Sequence, residues 1–217
     1  MSHRCLLPKG ISMTQDEVRG LTQELKTQVS ILGFFVALMW GLEIVDVALG
    51  GVGRFCGGLN QFGIFPRTLI GLRGILFAPF LHGGFPHLIA NTIPFITLGW
   101  LVMLRRTSDF FWVSAIAAVI GGLGTWVIGA PGCHIGASGV IFGYVGYLIA
   151  RGYFDRKIGS MLFSIVVLVL YGGLLWGVLP LQYGISWEGH LFGLIGGVVA
   201  AKLLSEPKQK PFDPLQD

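Results

Sequence analysis

The sequence predicts an all-α membrane protein, a compact bundle of six transmembrane helices with a long membrane-associated first loop and a short fourth helix. Three observations lead there. The 217 residues are 53% hydrophobic and only 12% charged, about half the charged fraction of a soluble domain. The apolar residues gather in six blocks, at 31–49, 87–104, 110–128, 138–150, 161–179 and 186–204, close to the roughly 20 residues that a spanning helix needs. The positive charges also segregate. With the N-terminus inside, twelve basic residues, from Arg4 to Lys210, fall on the cytoplasmic side, and only Arg54, Arg67 and Arg73 fall outside. That is the positive-inside pattern, and it places both termini in the cytoplasm. The net charge of +4 is therefore topological and does not point to nucleic acid.

Taken in order, residues 1–28 are mixed and polar, with no apolar core ending in a small-residue cleavage site, so they do not read as a signal peptide. They read as a cytoplasmic tail or an amphipathic helix. Residues 29–204 make the membrane domain, and 205–217 a second cytoplasmic tail. Residues 50–85 form one long connection, Gly-rich at first and aromatic from Phe62 to Phe80. It is too apolar to be freely solvated, so Phe55, Phe62, Phe65 and Phe77 are expected to dip into the outer interface. Glu43 and Asp46, at the outer end of the first helix, are expected to pair with loop residues such as Arg73 or to reach the interface. Gly139, Gly143 and Gly146 on the fourth helix, and Gly189, Gly193 and Gly197 on the sixth, provide small faces that make these two helices neighbours. Cys56 and Cys133 both fall outside, and read either as a pair or as two unpaired thiols; three cysteines make no disulfide framework.

The basic residues at the inner helix ends serve as a depth ruler. Ser138 lies 13 residues before Arg151, His190 12 before Lys202, and Asn91 14 before Arg105. At about 1.5 Å per residue these positions stand roughly 20, 18 and 21 Å above the inner boundary. All three are thus about 10 Å below the outer surface of a hydrocarbon core roughly 30 Å thick. The run Gly129-Ala-Pro-Gly-Cys-His-Ile-Gly136 before Ser138 cannot continue a helix. Irregular backbone at membrane depth is tolerated where protein buries it or where it lines a watery cavity. The fourth helix therefore starts low, with Ser138 at its N-terminus beside unpaired amides suited to a developing negative charge.

A serine hydroxyl becomes a nucleophile when a base removes its proton, and histidine is the usual base near neutral pH. His190 is the candidate base and Ser138 the candidate nucleophile. His87 and Asn91, four residues apart, share a helix face and direct two side-chain donors to one spot. With the Ser138 amide they suit an oxyanion hole. Glu188, two residues from His190, faces away on a helix and is an unsuitable third member. His82, His87 and His134 lack the spacing of a recognisable metal site, and no cofactor is implied.

These residues resemble the rhomboid intramembrane serine proteases in their minimal six-helix form, over roughly residues 28–204. The matching motifs are Gly136-Ala-Ser138-Gly139, His87-x-x-x-Asn91, and Gly189-His190 ahead of the glycine-spaced sixth helix. His82 matches a histidine common five residues before the first motif histidine. The resemblance implies a Ser138–His190 dyad, with His87, Asn91 and the Ser138 backbone in the oxyanion hole, and Gly136 of the serine motif beside them. It also implies a lateral hairpin in the first loop, and single-span membrane proteins as substrates, reaching the site between the second and fifth helices beneath the loop at 180–186. The lipid bilayer and water as co-substrate complete the partners. One departure is Leu72-Arg73, where the family often has Trp-Arg. The competing readings are a proteolytically inactive relative that binds membrane-protein helices, disfavoured by the presence of both Ser138 and His190, and a small transporter, disfavoured by the lack of an internal repeat or a midplane acid. A bacterial inner membrane suits a chain of this type.

Overall fold

The computed structural model describes residues 14–51, 56–181 and 184–205. Six long helices run through them: α1 (Gln15–Ala48), α2 (Phe85–Met103), α3 (Thr107–Ile128), α4 (Ser138–Asp155), α5 (Ile158–Tyr171, continued by a 3-10 segment Gly172–Val178) and α6 (Trp187–Leu203). The expected fold class and helix order are both present. Four of these spans, α1, α2, α3 and Ile158–Val178, are long and apolar enough to cross a membrane by themselves.

The other two are shorter, 18 residues for α4 and 17 for α6, and α4 lies inside the bundle. Every residue from Val140 to Leu148 is buried, and α4 makes its most extensive contact with α6. A helix enclosed by protein need not match the bilayer in length or polarity. The small faces allow the approach. Gly193 and Gly197 have no room for a β-carbon, since it would meet the carbonyls of Gly139 and Gly143.

α1 begins 16 residues before the first apolar block and is continuous from Gln15. Thr14 and Glu17 form a capping box that starts it there: the Thr14 hydroxyl accepts the Glu17 amide at 3.3 Å, and the Glu17 carboxylate accepts the Thr14 amide at 2.7 Å. At 34 residues the helix is about 50 Å long, so part of it extends past a bilayer core. It buries only Gln28, Leu32, Met39, Glu43 and Asp46. Val29 and Phe34 on its outer side are 66% and 64% exposed, as suits a face toward lipid. Gln28 fastens it to the bundle, donating to Thr107 and accepting from the Trp100 indole.

The inner ends of the helices meet at one level. Asp155 accepts from Arg151 at 2.8 Å and pairs with Arg105 at 3.8 Å, while Arg105 also donates to the Leu204 carbonyl at the end of α6. The inner ends of the three helices used as a depth ruler are therefore physically connected, although α4 runs one turn past Arg151. The described part of the long first loop folds into short helical turns that dock on the outer end of α3. The Arg67 amide donates to the Trp126 carbonyl and the Trp126 indole to the Thr68 carbonyl. Leu69, Ile70 and Leu76 are its most exposed apolar residues, with Phe77 exposed and Phe62 and Phe65 half-buried. Phe55 lies outside the described residues.

The pairing expected for Arg73 is different in the structure. Arg73 donates to the Gln61 carbonyl at 3.0 Å and lies 4.5 Å over the Phe62 ring. Glu43 and Asp46 are instead buried, at 2% and 3% exposure, because the loop folds back over the outer end of α1. Both Cys56 and Cys133 are free thiols; Cys133 donates to the Asn60 carbonyl at 3.1 Å.

Candidate active site

The irregular segment before Ser138 is pinned to the first loop by backbone hydrogen bonds. Ile64 of the first loop exchanges both backbone hydrogen bonds with His134, at 3.0 and 2.9 Å. The Gly136 amide donates to the Ala78 carbonyl at 2.9 Å. Gly136 itself adopts φ +115°, open to glycine and strained for other residues. The chain then turns directly into α4 with Ser138 as its first residue.

Ser138 and His190 touch. The Ser138 Oγ lies 2.8 Å from His190 Nε2. On the other side of the ring, Nδ1 lies 2.9 Å from the carbonyl of Gly177, an atom that can only accept. Nδ1 therefore carries the proton, and Nε2 is the lone-pair nitrogen that accepts from the serine hydroxyl. The Phe142 ring, one turn after Ser138, stacks on the imidazole at 4.1 Å with planes 8° apart and fixes its tilt. A β-carbon on Gly177 would come 3.1 Å from His190 Nδ1 and 2.8 Å from the end of Phe142, so the segment after α5 approaches because that residue is glycine. Sequence reasoning singles out neither Gly177 nor Phe142. For Phe142 a signal exists, since it shares a helix face with Ser138; a backbone carbonyl has none.

His87 also lies near Ser138. Its Nδ1 accepts the Gly83 amide at 3.3 Å, which leaves the proton on Nε2. A β-carbon on Gly136 would lie 2.8 Å from His87 Nε2 and 3.8 Å from Ser138 Oγ, so the small space above Gly136 is shared by a donor and the hydroxyl. Asn91 is buried and donates one amide hydrogen to the His87 carbonyl at 2.9 Å; its second hydrogen is available. His82 is fully buried below, its ring 5.1 Å from that of His87. Burial keeps it neutral, its pKa pushed down to about 3.

A second polar network frames the site. Glu188 is buried and accepts the Ala130 amide at 3.0 Å, away from the dyad as its spacing suggests. Ser186, which caps α6, lies 2.7 Å from His134 Nδ1, and His134 Nε2 lies 2.9 Å from the Ala130 carbonyl. This network ties the segment before Ser138 to the helix that carries His190.

The rhomboid domain family matches residues 71–207, which include His87, Asn91, Ser138 and His190. The chain belongs to the rhomboid family. Among its relatives, an uncharacterised protein of Mycobacterium tuberculosis is 45% identical over 185 residues, covering 81% of this chain and 75% of the relative. A counterpart in Mycobacterium leprae is 43% identical over 185 residues, covering 71% of that protein. Rhomboid protease GluP of Bacillus subtilis is 34% identical over 137 residues, 61% of this chain and 26% of its own length. With its apolar spans, this rhomboid-family chain is an integral membrane protein.

Proposed function

We propose that this rhomboid-family protein is an intramembrane serine endopeptidase that cleaves single-span membrane proteins in or near their transmembrane segments. The observation that carries the reading is the 2.8 Å contact between Ser138 Oγ and His190 Nε2, with the histidine held in its accepting tautomer by Gly177. His190 takes the serine proton as Oγ attacks the scissile carbonyl carbon. The carbonyl oxygen becomes an oxyanion facing His87 Nε2–H, the Ser138 amide and the remaining Asn91 hydrogen. As the tetrahedral adduct collapses, the imidazolium returns its proton to the leaving amine. Water, deprotonated by His190, then attacks the acyl ester and regenerates Ser138. No third catalytic residue is needed in this scheme, since the Gly177 carbonyl orients the ring.

Lateral access between α2 and α5 is supported by the character of that seam. The Tyr171 hydroxyl donates across it to Thr97 at 2.9 Å, while α5 packs mainly on α4. The charge distribution supports cytoplasmic termini, and the bacterial relatives support a cell-membrane location. The test is labelling of purified protein with a serine-reactive fluorophosphonate, together with cleavage of a model transmembrane substrate in liposomes. Wild type is expected to react in both assays, and Ser138→Ala and His190→Ala in neither. An unlabelled wild type that leaves the substrate intact sinks the reading.

A further inference from the structure

The outer end of α1 holds a buried carboxylate that the mechanism above does not use. Asp46 is 3% exposed. Its carboxylate accepts the Leu59 amide and, at 3.4 Å, the side-chain nitrogen of Asn60. Gly51 and Gly58 leave no room for a β-carbon beside it, so backbone closes around the carboxylate. Asn60 is itself buried, and the same nitrogen donates to the His82 carbonyl at 3.0 Å. That carbonyl belongs to the peptide unit whose N–H, on Gly83, donates to His87 Nδ1 at 3.3 Å.

One peptide plane is thus gripped at its oxygen and used at its nitrogen. A trans peptide is rigid, so fixing the direction of the His82 carbonyl also fixes the opposite direction of the Gly83 N–H. A neutral imidazole has one protonated and one bare nitrogen, and an N–H pointed at Nδ1 makes Nδ1 the bare one. The proton then sits on Nε2, the nitrogen beside Gly136 and Ser138. In the other tautomer His87 would present a lone pair to the developing oxyanion and repel it.

We infer that Asp46 and Asn60 are positioning residues for the oxyanion site: they clamp the His82–Gly83 peptide so that its amide holds His87 in the Nε2–H tautomer. Neither touches the reacting atoms. The consequence for rate rests on the protease reading above; the tautomer does not. Asp46 orients Asn60, because its carboxylate oxygens accept from the Leu59 amide and from the Asn60 amide nitrogen, the same nitrogen that faces the His82 carbonyl.

The test has two readouts on detergent-solubilised full-length protein. The first is ¹⁵N NMR of histidine-labelled protein, with the His87 signals assigned by their loss in His87→Gln. Wild type is expected to show a bare Nδ1 and a protonated Nε2, and Asn60→Ala a mixture of tautomers. The second is the fluorophosphonate reaction, where Asn60→Ala is expected to lower the maximal rate on the order of tenfold with an unchanged half-saturating concentration, less than outright removal of an oxyanion donor. Arg73→Gln loosens the same loop at its Gln61 and Phe62 contacts without touching the clamp; its His87 signals should match wild type. A wild-type His87 protonated on Nδ1 overturns the inference even if Asn60→Ala fails to fold. So does an Asn60→Ala spectrum identical to wild type, or an equal shift in Arg73→Gln. If wild type is unlabelled by the probe, the protease reading fails while the spectra still decide the clamp.

Discussion

At its inner end α4 closes on charges, with Asp155 between Arg151 and Arg105 and the Ser160 hydroxyl also donating to it at 3.2 Å. At its outer end the same helix begins with a neutral serine against a neutral histidine. The two ends solve the burial of polar groups differently. The inner groups engage one another, charge against charge and hydroxyl against carboxylate. The outer groups are held on one side only: His190 by Gly177, His87 by Gly83 and Asn91 by its own helix, and the two histidines keep their other nitrogen near Ser138. A structural cluster uses its capacity up, whereas the outer one keeps part of it in reserve, and under the proposed function that reserve is what a substrate carbonyl would occupy.

This contrast meets its most severe test at Ser138. Ser138→Ala is expected to abolish fluorophosphonate labelling and substrate cleavage while leaving the melting temperature near that of wild type, as the hydroxyl's described partner is His190. A large loss of stability instead would make the outer end structural as well. Asn91→Ala removes one reserved donor, and a loss on the order of 3 kcal/mol in barrier is expected in cleavage kinetics; a loss no larger than that of a packing variant elsewhere on α2 would remove Asn91 from the oxyanion site. Gly177→Ala puts a methyl against His190 and Phe142, and about a tenfold fall in labelling rate is expected from a displaced base. Asp155→Asn addresses the inner end. It should cost about 3 kcal/mol in denaturant or thermal unfolding, yet leave labelling of the folded fraction within about twofold, since distant sites act independently.

The smallest effect concerns Cys133. Burial first, and then the neighbouring Cys56 thiol, push its pKa above the ordinary range. A raised pKa lowers the thiolate fraction at every pH beneath it, and the thiolate is the reactive form. Alkylation at pH 8 should therefore run at least ~10-fold slower than for a free cysteine, with mass spectrometry as the readout; fast modification would mean that the segment before Ser138 opens readily.

Much of this architecture is legible in the order of residues. The apolar blocks locate all six helices because lipid admits few charges, and the basic residues used as a ruler sit at helix ends that the fold joins. Ser138, His190 and His87 stand out because polar residues are scarce in those blocks. The start of α1 is written in Thr14-x-x-Glu17, a capping box inside a stretch that reads as a tail or an amphipathic helix. Glu43, Asp46 and Arg73 are harder, because charge complementarity in a sequence says nothing of which way a long loop folds.

Composition, spacing and the cost of polar groups in hydrocarbon are enough to set the class of protein, the order of its helices, and the few residue types available for chemistry. The protonation pattern of the site belongs to the folded chain instead. It depends on backbone groups, the Gly177 carbonyl on one histidine and the Gly83 amide on the other. Every residue but proline carries the same amide and carbonyl, so only their direction in space distinguishes one from another.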